Sequence, residues 1–446
     1  MSDPNAASDR SDADADADAD AGQEMYRLIE ALYPLCRSIT GDGVRETLRH
    51  IQRHIPLTIH EVPSGTRVFD WTVPREWNIR DAYIKNAHGK RIVDFRQSNL
   101  HVVSYSQPVH ETMALARLRD HLFSDPGHPD WLPYRTSYYQ DNWGFCVSHN
   151  QLLALAEEDY EVCIDSTLAD GALTYGECFI PGRSSDTVLI SCHICHPSLC
   201  NDNLSGIAVA TLLSRWLATQ TLHYSYRFLF IPGTIGSITW LARNEKTLAG
   251  IKHGLVAVNL GDPGPLSYKR SRRGNAEIDQ VASYVLRRQD PNAVISDFVP
   301  YGYDERQFCS PAFNLPVGCL MRTPHGQFPE YHTSADNLDL VRPEHLAHSF
   351  ETYQTVFRIL EENRCYRNLQ PKCEPQLGRR GLYDAIGGQS DTKQRQLAML
   401  WVLNYSDGEN SLLDIAERSG IAFELVQEVA TTLQEHKLLA ADVDRS

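Results

Sequence analysis

The chain has 446 residues, of which 42% are hydrophobic and 22% charged, and its formal net charge is −15 at pH 7. This length and composition predict two or three folded domains and exclude a chain that is disordered throughout. Seven of the fifteen net negative charges fall in residues 1–24, so the remainder carries little net charge, and neither a nucleic acid nor an anionic membrane surface is indicated as a partner.

Residues 13–21 alternate alanine with aspartate and have no apolar face to bury, so residues 1–24 are predicted to form a disordered acidic leader. The segment lacks the basic start and apolar core of a signal peptide. No run in the chain reaches the roughly 18 apolar residues of a membrane helix. We therefore expect a cytoplasmic protein whose eleven cysteines are mostly reduced and buried.

Helical spacing of apolar residues predicts helices at 24–35 and 44–55. Short β-rich pieces separated by turn residues follow, and residues 67–165 are predicted to form a small β-rich inserted domain. The main domain is then built from residues 25–66 and 166–370.

Strands and helices alternate beyond residue 178. Strands are predicted at 187–192, 226–232 and 254–260, and helices at 206–220, 237–246, 275–289 and 342–363. The predicted fold class is α/β, a mixed sheet with helices on both faces. Such sheets carry their sites at the carboxyl ends of strands.

A linker at 371–388 precedes helices predicted at 393–403, 411–419 and 422–436 and a short apolar strand at 438–440. This order is typical of a winged helix, which we assign to residues 389–446. These last residues include ten acids and five bases, and the predicted recognition helix has no base before Lys437. This negative charge disfavours DNA binding. It therefore also disfavours a regulator that senses metabolites and binds DNA. An interaction module, through which the chain forms a homo-oligomer, is favoured.

The sharpest pattern begins where a buried strand ends at His193. Nine residues later, Asp202 lies in a turn that opens an alanine-rich helix through Ser205 and Gly206. Imidazole nitrogen and carboxylate oxygen are zinc ligands, and strand-end loops can bring them together. His196 is left open between an outer partner of the ligands and an alternative ligand.

The segment 193–206 resembles the ligand region of the co-catalytic zinc aminopeptidases, in which a strand-end histidine precedes an Asp-Asp/Asn-x-Ser-Gly turn. Residues 330–337, Glu-Tyr-His-Thr-Ser-Ala-Asp-Asn, are similar to the family's last ligand loop. The resemblance implies that His193, Asp202 and His332 are metal ligands, and that Asp202 bridges if two metals bind.

The whole chain resembles, more narrowly, an uncharacterised aminopeptidase-like family with a small inserted domain and a C-terminal winged helix. The stretches that match are residues 70–74, 133–138, 142–146, 234–237 and 268–274. The resemblance implies a connection with polysaccharide or secondary-metabolite biosynthesis.

The chain departs from active aminopeptidases where these have a Glu-Glu pair, the first as general base and the second as ligand. Gly233 and Thr234 stand there instead. The next expected ligand is found one residue out of register, as Asp262. We therefore expect one zinc per chain rather than two. A substitute base is sought in Glu330 or Glu305, and Asp304 resembles a site-loop aspartate of the aminopeptidases.

Two other readings concern the cysteines around His193. Cys192, Cys195 and His196 fit a haem-attachment pattern, but that chemistry belongs to exported proteins. Cys192, Cys195 and Cys200 fit thiolate ligands, but no fourth ligand follows at a suitable spacing. Burial as apolar residues is the better interpretation.

A basic loop near the predicted site contains Lys269, Arg270, Arg272 and Arg273. It is either a solvated face or a substrate-binding loop, in which Arg270, Arg272 and Arg273 bind a carboxylate, phosphate or sugar acid. The sequence therefore predicts a zinc-dependent, aminopeptidase-like hydrolase acting on a small-molecule amide, a peptide-like substrate or an aminoacyl-type conjugate. The alternative is a ligand-binding or scaffolding protein that keeps the aminopeptidase fold.

Overall fold

A computed structural model describes residues 12–382 and 390–441. The chain divides into two compact units, the first ending at Tyr353 and the second beginning at Gln354. In the described residues, no helix combines the length and the apolar character that crossing a membrane requires.

The helices of the first unit lie in chain order as follows; the last of them contains the boundary at Gln354. They are α1 (Asp12–Leu32), α2 (Asp42–Gln52), α3 (Leu115–Leu118), α4 (His149–Leu153), α5 (Gly206–Leu217), α6 (Ile235–Asn244), α7 (Glu277–Gln289), α8 (Glu305–Phe308) and α9 (Pro343–Glu362).

The strands of the first unit form one large sheet and three small ones. They are β1 (Thr58–Pro63), β2 (Arg67–Val68), β3 (Trp71–Thr72), β4 (Glu76–Lys85), β5 (Arg91–Asp94), β6 (Val109–Ala114), β7 (Leu122–Phe123), β8 (Phe145–Cys146), β9 (Asp159–Ala169), β10 (Ala172–Ile180), β11 (Thr187–His193), β12 (Ser225–Ile231), β13 (Ile251–Ala257), β14 (Ser267–Lys269), β15 (Val294–Ser296) and β16 (Val317–Met321).

The large sheet has eight strands in the order β1-β10-β12-β11-β13-β16-β14-β15. The four central strands, β12, β11, β13 and β16, run parallel to one another. Strand β11 is buried along its whole length, as expected for a parallel strand covered on both faces. The carboxyl end of β11 therefore opens at the centre of the sheet, with His193 as its last residue.

Residues 76–169 contribute a separate four-stranded antiparallel sheet in the order β5-β4-β9-β6. This sheet has a hydrophobic core of its own, which includes Val93 and Tyr160. The hairpin of β2 and β3 differs, because Val68 packs into the main core together with Trp77 and Tyr105. The boundaries 67 and 165 of the inserted domain stay a prediction.

Helix α1 begins at Asp12, within the segment expected to be a disordered leader. Alanine has the highest helix propensity, and the alanines of this repeat extend the helix toward the N-terminus. The predicted apolar face is present, since Met25, Ile29 and Leu32 are fully buried. Residues 1–11 of the expected leader lie outside the described residues.

The second unit contains β17 (Cys365–Asn368), α10 (Ser390–Tyr405), β18 (Asp407–Ser411), α11 (Leu412–Ser419), α12 (Phe423–Glu435) and β19 (Leu439–Ala441). Its strands form an antiparallel sheet in the order β18-β17-β19. Ser411 and Asp414 form a capping box at the start of α11, which explains why this helix could be placed from sequence. Residues 383–389 of the predicted linker lie outside the described residues.

A network of charged hydrogen bonds joins α2 to two sheets. Arg45 donates two hydrogen bonds to Glu76, at 2.7 and 2.6 Å, and a third to Glu61. Glu76 also accepts a hydrogen bond from the Ala172 amide. The bonds from Arg45 hold the pKa of Glu76 at about 2, below its ordinary value of 4.5.

We expect Glu76→Gln to lower the free energy of unfolding by about 1.5–3 kcal/mol at pH 7, since hydrogen bonds to charged groups contribute this much. Because folding lowers the pKa of Glu76, its stabilisation is present above pH 4.5 and is lost as the pH falls toward 2. Urea unfolding at several pH values should show the two proteins converging over this window. Asp165→Asn is the control, since its ion pair with Arg80 is exposed and should contribute little; an equal effect of both variants would contradict the prediction.

Candidate metal centre

The site lies at the carboxyl end of β11, between the parallel strands β12 and β13. After His193 the chain passes through a loop and an irregular turn at Cys200–Ser205, and then enters α5. The turn places Asp202 beside His193, and the loop that follows β16 brings His332 to the same place. Two connections, one between β11 and α5 and one after β16, therefore supply the site.

The centre is a buried carboxylate surrounded by imidazoles. The Nε2 atom of His193 lies 2.8 Å from Oδ1 of Asp202, and Nε2 of His332 lies 3.0 Å from Oδ2. Nε2 of His196 lies 3.9 Å from the same Oδ2. The ligand atoms of His193, His196 and Asp202 all lie within 4.8 Å of one another, and the Asp202 side chain is fully buried.

The charge states suit a cation. Burial alone would raise the pKa of Asp202, but the neighbouring histidines outweigh it and hold the pKa well below its usual value. Burial lowers the pKa of His196 well below its usual value. An ionised carboxylate next to a neutral imidazole is the form in which these side chains bind metals.

Asp336 supports the turn that carries Asp202. Its carboxylate accepts hydrogen bonds from the backbone amides of Asn201, at 2.6 Å, and Asp202, at 2.9 Å. Burial raises the pKa of Asp336 to about 8. Asp336 closes the His-Thr-x-x-Asp motif that contains His332, and this motif was the only signal in the sequence that could have marked it.

Asp262 is not brought to this centre. It accepts hydrogen bonds from the side chains of Asn201 and Thr323, at 2.9 and 2.5 Å, and from the amide of Gly264. Within the described residues, no hydrogen bond or ion pair joins Asp262 to a histidine or to Asp202. These hydrogen bonds fix the loops around Asp262, and its role as a metal ligand stays a prediction.

Asp304 is buried and does not belong to the group of metal-binding side chains among the described residues. Its Oδ1 accepts hydrogen bonds from the Thr234 amide and the Ser237 hydroxyl, at 2.7 and 3.0 Å, which ties it to the start of α6. Its Oδ2 is buried without a hydrogen-bond partner, and burial raises the pKa of the carboxyl to about 6.

Neither predicted base reaches the cavity in front of the centre. Glu305 is fully buried in an ion pair with Lys269 and also accepts a hydrogen bond from the Tyr303 amide. Glu330 is partly exposed and does not line the cavity. Glu305 is thus the ion-pair partner of Lys269, the buried lysine of the basic loop.

The three arginines of that loop have partners elsewhere. Arg270 forms an ion pair with Asp297 at 2.9 Å, and Arg272 and Arg273 donate hydrogen bonds to Asn314. None of the three lines the cavity. A run of positive charge fixes neither the direction of its side chains nor their partners, and substrate binding by these three arginines stays a prediction.

The cavity has a volume of about 480 Å³ and contains His196 and His332 in its wall. Five of its eleven other lining residues are aromatic; the eleven are Ile39, Trp71, Tyr134, Arg135, Thr136, Tyr138, Tyr139, Gly233, Thr234, Ile235 and Tyr303. Several belong to stretches by which the chain resembles its family, but the sequence analysis assigned them no role in a site.

Tyr303 explains the glycine at position 233. A Cβ atom at Gly233 would lie 2.0 Å from the Tyr303 hydroxyl oxygen and 2.1 Å from Cε1, far inside van der Waals contact. The Tyr303 ring packs against the imidazole of His193, with centroids 4.0 Å apart, and its hydroxyl lies 3.3 Å from the Cys195 sulfur. Tyr303 occupies the space into which any larger side chain at 233 would project.

The cysteines around His193 are buried thiols. Burial raises the pKa of Cys192 and Cys200 well above the usual value, and that of Cys195 to about 12. In the described part of the chain, the group of metal-binding side chains contains two histidines and an aspartate and no cysteine.

Comparisons with known proteins agree with this architecture. The model of a family described as "Domain of unknown function (DUF4910)" matches residues 26–363, and a winged helix-turn-helix model matches residues 364–441. A Clostridium acetobutylicum protein named as a polysaccharide biosynthesis protein with aminopeptidase-like domain is 55% identical over 94% of this chain and 96% of its own length.

Solved structures give the same result for the fold. A crystal structure from Clostridium acetobutylicum, named as a peptidase, is 52% identical over 96% of this chain and 98% of that chain, with a TM-score of 0.91. A zinc aminopeptidase from Bacillus subtilis is 13% identical over 76% of this chain and 94% of that chain, with a TM-score of 0.55. The predicted aminopeptidase-like α/β fold and C-terminal winged helix are confirmed.

Proposed function

The chain belongs to the DUF4910 family, and from this premise we propose that it is a metal-dependent hydrolase of amide bonds in small molecules. The observation that carries the proposal is the buried carboxylate of Asp202, whose two oxygens each face a histidine at the base of a cavity. An ionised carboxylate of this kind is costly to bury without a cation. The aminopeptidase-like fold of the zinc enzymes supports a hydrolytic role.

The donor set fits zinc, which prefers imidazole nitrogen and carboxylate oxygen. His193, His196, Asp202 and His332 are the residues that would hold the ion. One ion is favoured over two, because Thr234 replaces the glutamate ligand of a second site and Asp262 is held by Asn201. Bound zinc supplies Lewis-acid polarisation of a substrate carbonyl.

The side chains around the centre orient the amide. The backbone of His332 is held in place, because its carbonyl accepts a hydrogen bond from the Tyr134 amide at 2.7 Å. Tyr303 directs its hydroxyl toward Cys195 and Gly233, where it can donate a hydrogen bond to a group bound in the cavity. Five of the residues that line the cavity are aromatic, and their low polarity strengthens these polar interactions.

The substrate class follows from the relative named for polysaccharide biosynthesis. An amide on an amino sugar, such as an N-acyl group or an aminoacyl substituent, combines that context with the chemistry of the site. A small, water-soluble substrate is consistent with the expected location of this protein in the cytoplasm. The acidic C-terminal winged helix, in which Glu424 and Glu435 are exposed on α12, fits an interaction module of a homo-oligomer rather than DNA binding.

The alternative is a metal-binding receptor that keeps the fold without hydrolysis. One observation favours it: among the described residues that line the cavity there is no aspartate or glutamate to act as general base. Such a protein would bind amides in a metal-dependent way and release them unchanged.

Metal content and turnover together test the proposal. We expect the purified protein to contain close to one zinc per chain and to release free amine from at least one member of a panel of N-acyl amino sugars, N-acyl amino acids and aminoacyl amides. Complete chelation should abolish turnover and added zinc should restore it. Turnover that persists in metal-free protein would refute metal dependence, and a zinc-loaded protein that cleaves no class of amide would leave the receptor as the better account.

A further inference from the structure

The charge of the cavity wall differs from what an aminopeptidase needs. The described residues that line it include Arg135 and no aspartate or glutamate. Arg135 is exposed, and no acidic side chain of the described residues forms an ion pair with it. The guanidinium is therefore available to a ligand, whereas a substrate ammonium group would meet no carboxylate in the wall.

The backbone at Arg135 is held next to the loop that carries His332. The amide of its neighbour Tyr134 donates a hydrogen bond to the His332 carbonyl, and the Arg135 carbonyl accepts one from the Ser104 amide, at 2.7 and 2.8 Å. Hydrogen bonds thus hold the backbone at Arg135 and at the preceding residue, Tyr134, and the bond of Tyr134 is made to the loop that carries His332. An anionic group paired with Arg135 would lie in the same cavity as an amide at the histidines.

Tyr303 removes a place for a second negative charge beside that of Asp202. The resemblance to active aminopeptidases puts a glutamate at the position of Gly233, but here the phenol ring fills the space that such a side chain would enter. A neutral hydroxyl stands where a carboxylate would otherwise face the substrate. The cavity is selective against a free amino group next to the amide, because nothing compensates for the loss of its hydration.

Two aromatic rings complete the wall. Trp71 and Tyr139 are 39% and 50% exposed, and both line the cavity. Their rings meet edge to face, with centroids 5.4 Å apart. Large aromatic faces left open beside a polar site are suited to packing against the apolar face of a sugar ring.

We propose that the cavity binds anionic N-acylated amino sugars, with the sugar ring on Trp71 and Tyr139 and a carboxylate or phosphate paired with Arg135. This inference rests on the proposed function, which supplies the amide. It adds that the substrate also carries an anionic group and a sugar ring. Arginine is suited to both anions, because its planar fork matches carboxylate and phosphate oxygens. Of the amides named in the proposed function, the inference keeps N-acyl groups and removes aminoacyl substituents, which carry a free amino group beside the amide.

Calorimetric binding to the purified holoprotein tests the inference without relying on turnover. The probes are N-acetylglucosamine, its 1-phosphate, the corresponding N-acetylated uronic acid and, as the cationic case, glucosamine. We expect at least one anionic probe to bind about tenfold or more tightly than the neutral sugar, which is the lower end of what a charged hydrogen bond contributes. The two anionic probes distinguish phosphate from carboxylate recognition.

Arg135→Gln should remove the preference for the anionic probe and leave binding of the neutral sugar unchanged, while Trp71→Ala should weaken both. Arg272→Gln is the matched control, since Arg272 contacts Asn314 and lies outside the cavity. Equal binding of neutral and anionic probes, equal effects of the two arginine variants, or no binding of any probe would overturn the inference. Hydrolysis of uncharged or cationic amides alone would overturn this inference but would support the proposed hydrolase. Anion-selective binding without turnover would support this inference and refute the proposed hydrolase.

Discussion

Asp202→Asn should reduce bound zinc from close to one per chain to nearly none and should abolish amide hydrolysis. Asparagine keeps the size of the side chain but removes the negative charge around which His193, His196 and His332 are arranged. Loss of a group that merely supports a ligand typically costs 10–100-fold in metal affinity or activity, and we expect the loss of the central carboxylate to exceed that range. Metal analysis after dialysis and an amine-release assay measure the two effects.

Asp262→Asn is the matched control for this substitution. Both aspartates are buried and both are ligands in the sequence prediction, but only Asp202 contacts the histidines. We expect Asp262→Asn to retain zinc and to change mainly stability. If Asp262→Asn loses zinc to the same extent as Asp202→Asn, the assignment of the centre to His193, His196, Asp202 and His332 is wrong.

Gly233→Glu together with Tyr303→Ala should create hydrolysis of simple aminoacyl amides that neither single variant achieves. Glutamate at 233 restores a carboxylate where aminopeptidases have their base, but only after the phenol has been removed, since a Cβ there would lie 2.0 Å from the Tyr303 oxygen. General-base assistance contributes roughly 10²–10⁴-fold, and the double variant should gain a measurable part of it. Initial rates on amino-acid amides, with zinc content measured for each variant, give the comparison.

Gly233→Glu alone should fail to gain activity and should lower stability, because the Tyr303 ring is packed against His193 and cannot move aside freely. Tyr303→Ala alone controls for the effect of opening the cavity. A single Gly233→Glu variant that already hydrolyses amino-acid amides faster than the natural protein would show that Tyr303 does not block the position. A double variant that keeps its zinc and gains nothing would show that the position does not serve a base in this cavity.

The fold and three residues of the centre follow from local sequence patterns. A continuous apolar strand ending in His193, followed by a turn and a helix that starts at Gly206, predicts a strand-end site without tertiary information. His332 is found because its motif resembles that of the zinc aminopeptidases. The structure places both histidines against Asp202, which is what their spacing and order lead one to expect.

The cavity could not be predicted in the same way. Tyr303, Arg135 and Trp71 come from three distant segments that meet only in the folded chain, and none has a spacing that marks it. The contacts of Asp262 could not be predicted for a related reason: Asn201, which donates a hydrogen bond to it, belongs to another loop, so this partner cannot be read from the distance of Asp262 to a strand end. The charge run at 269–273 was ambiguous because charge alone does not distinguish Lys269, buried with Glu305, from arginines that bond to neighbouring loops.

An anomalous difference map at the zinc absorption edge, from a crystal of the purified protein, is the most direct test of the metal centre on which the proposed function depends. We expect one peak per chain, at bonding distance, about 2.0–2.2 Å, from Asp202 and from at least two of His193, His196 and His332. A map with no peak at Asp202 after incubation with zinc, or with its strongest peak at Asp262 or at the buried cysteines, would contradict the account.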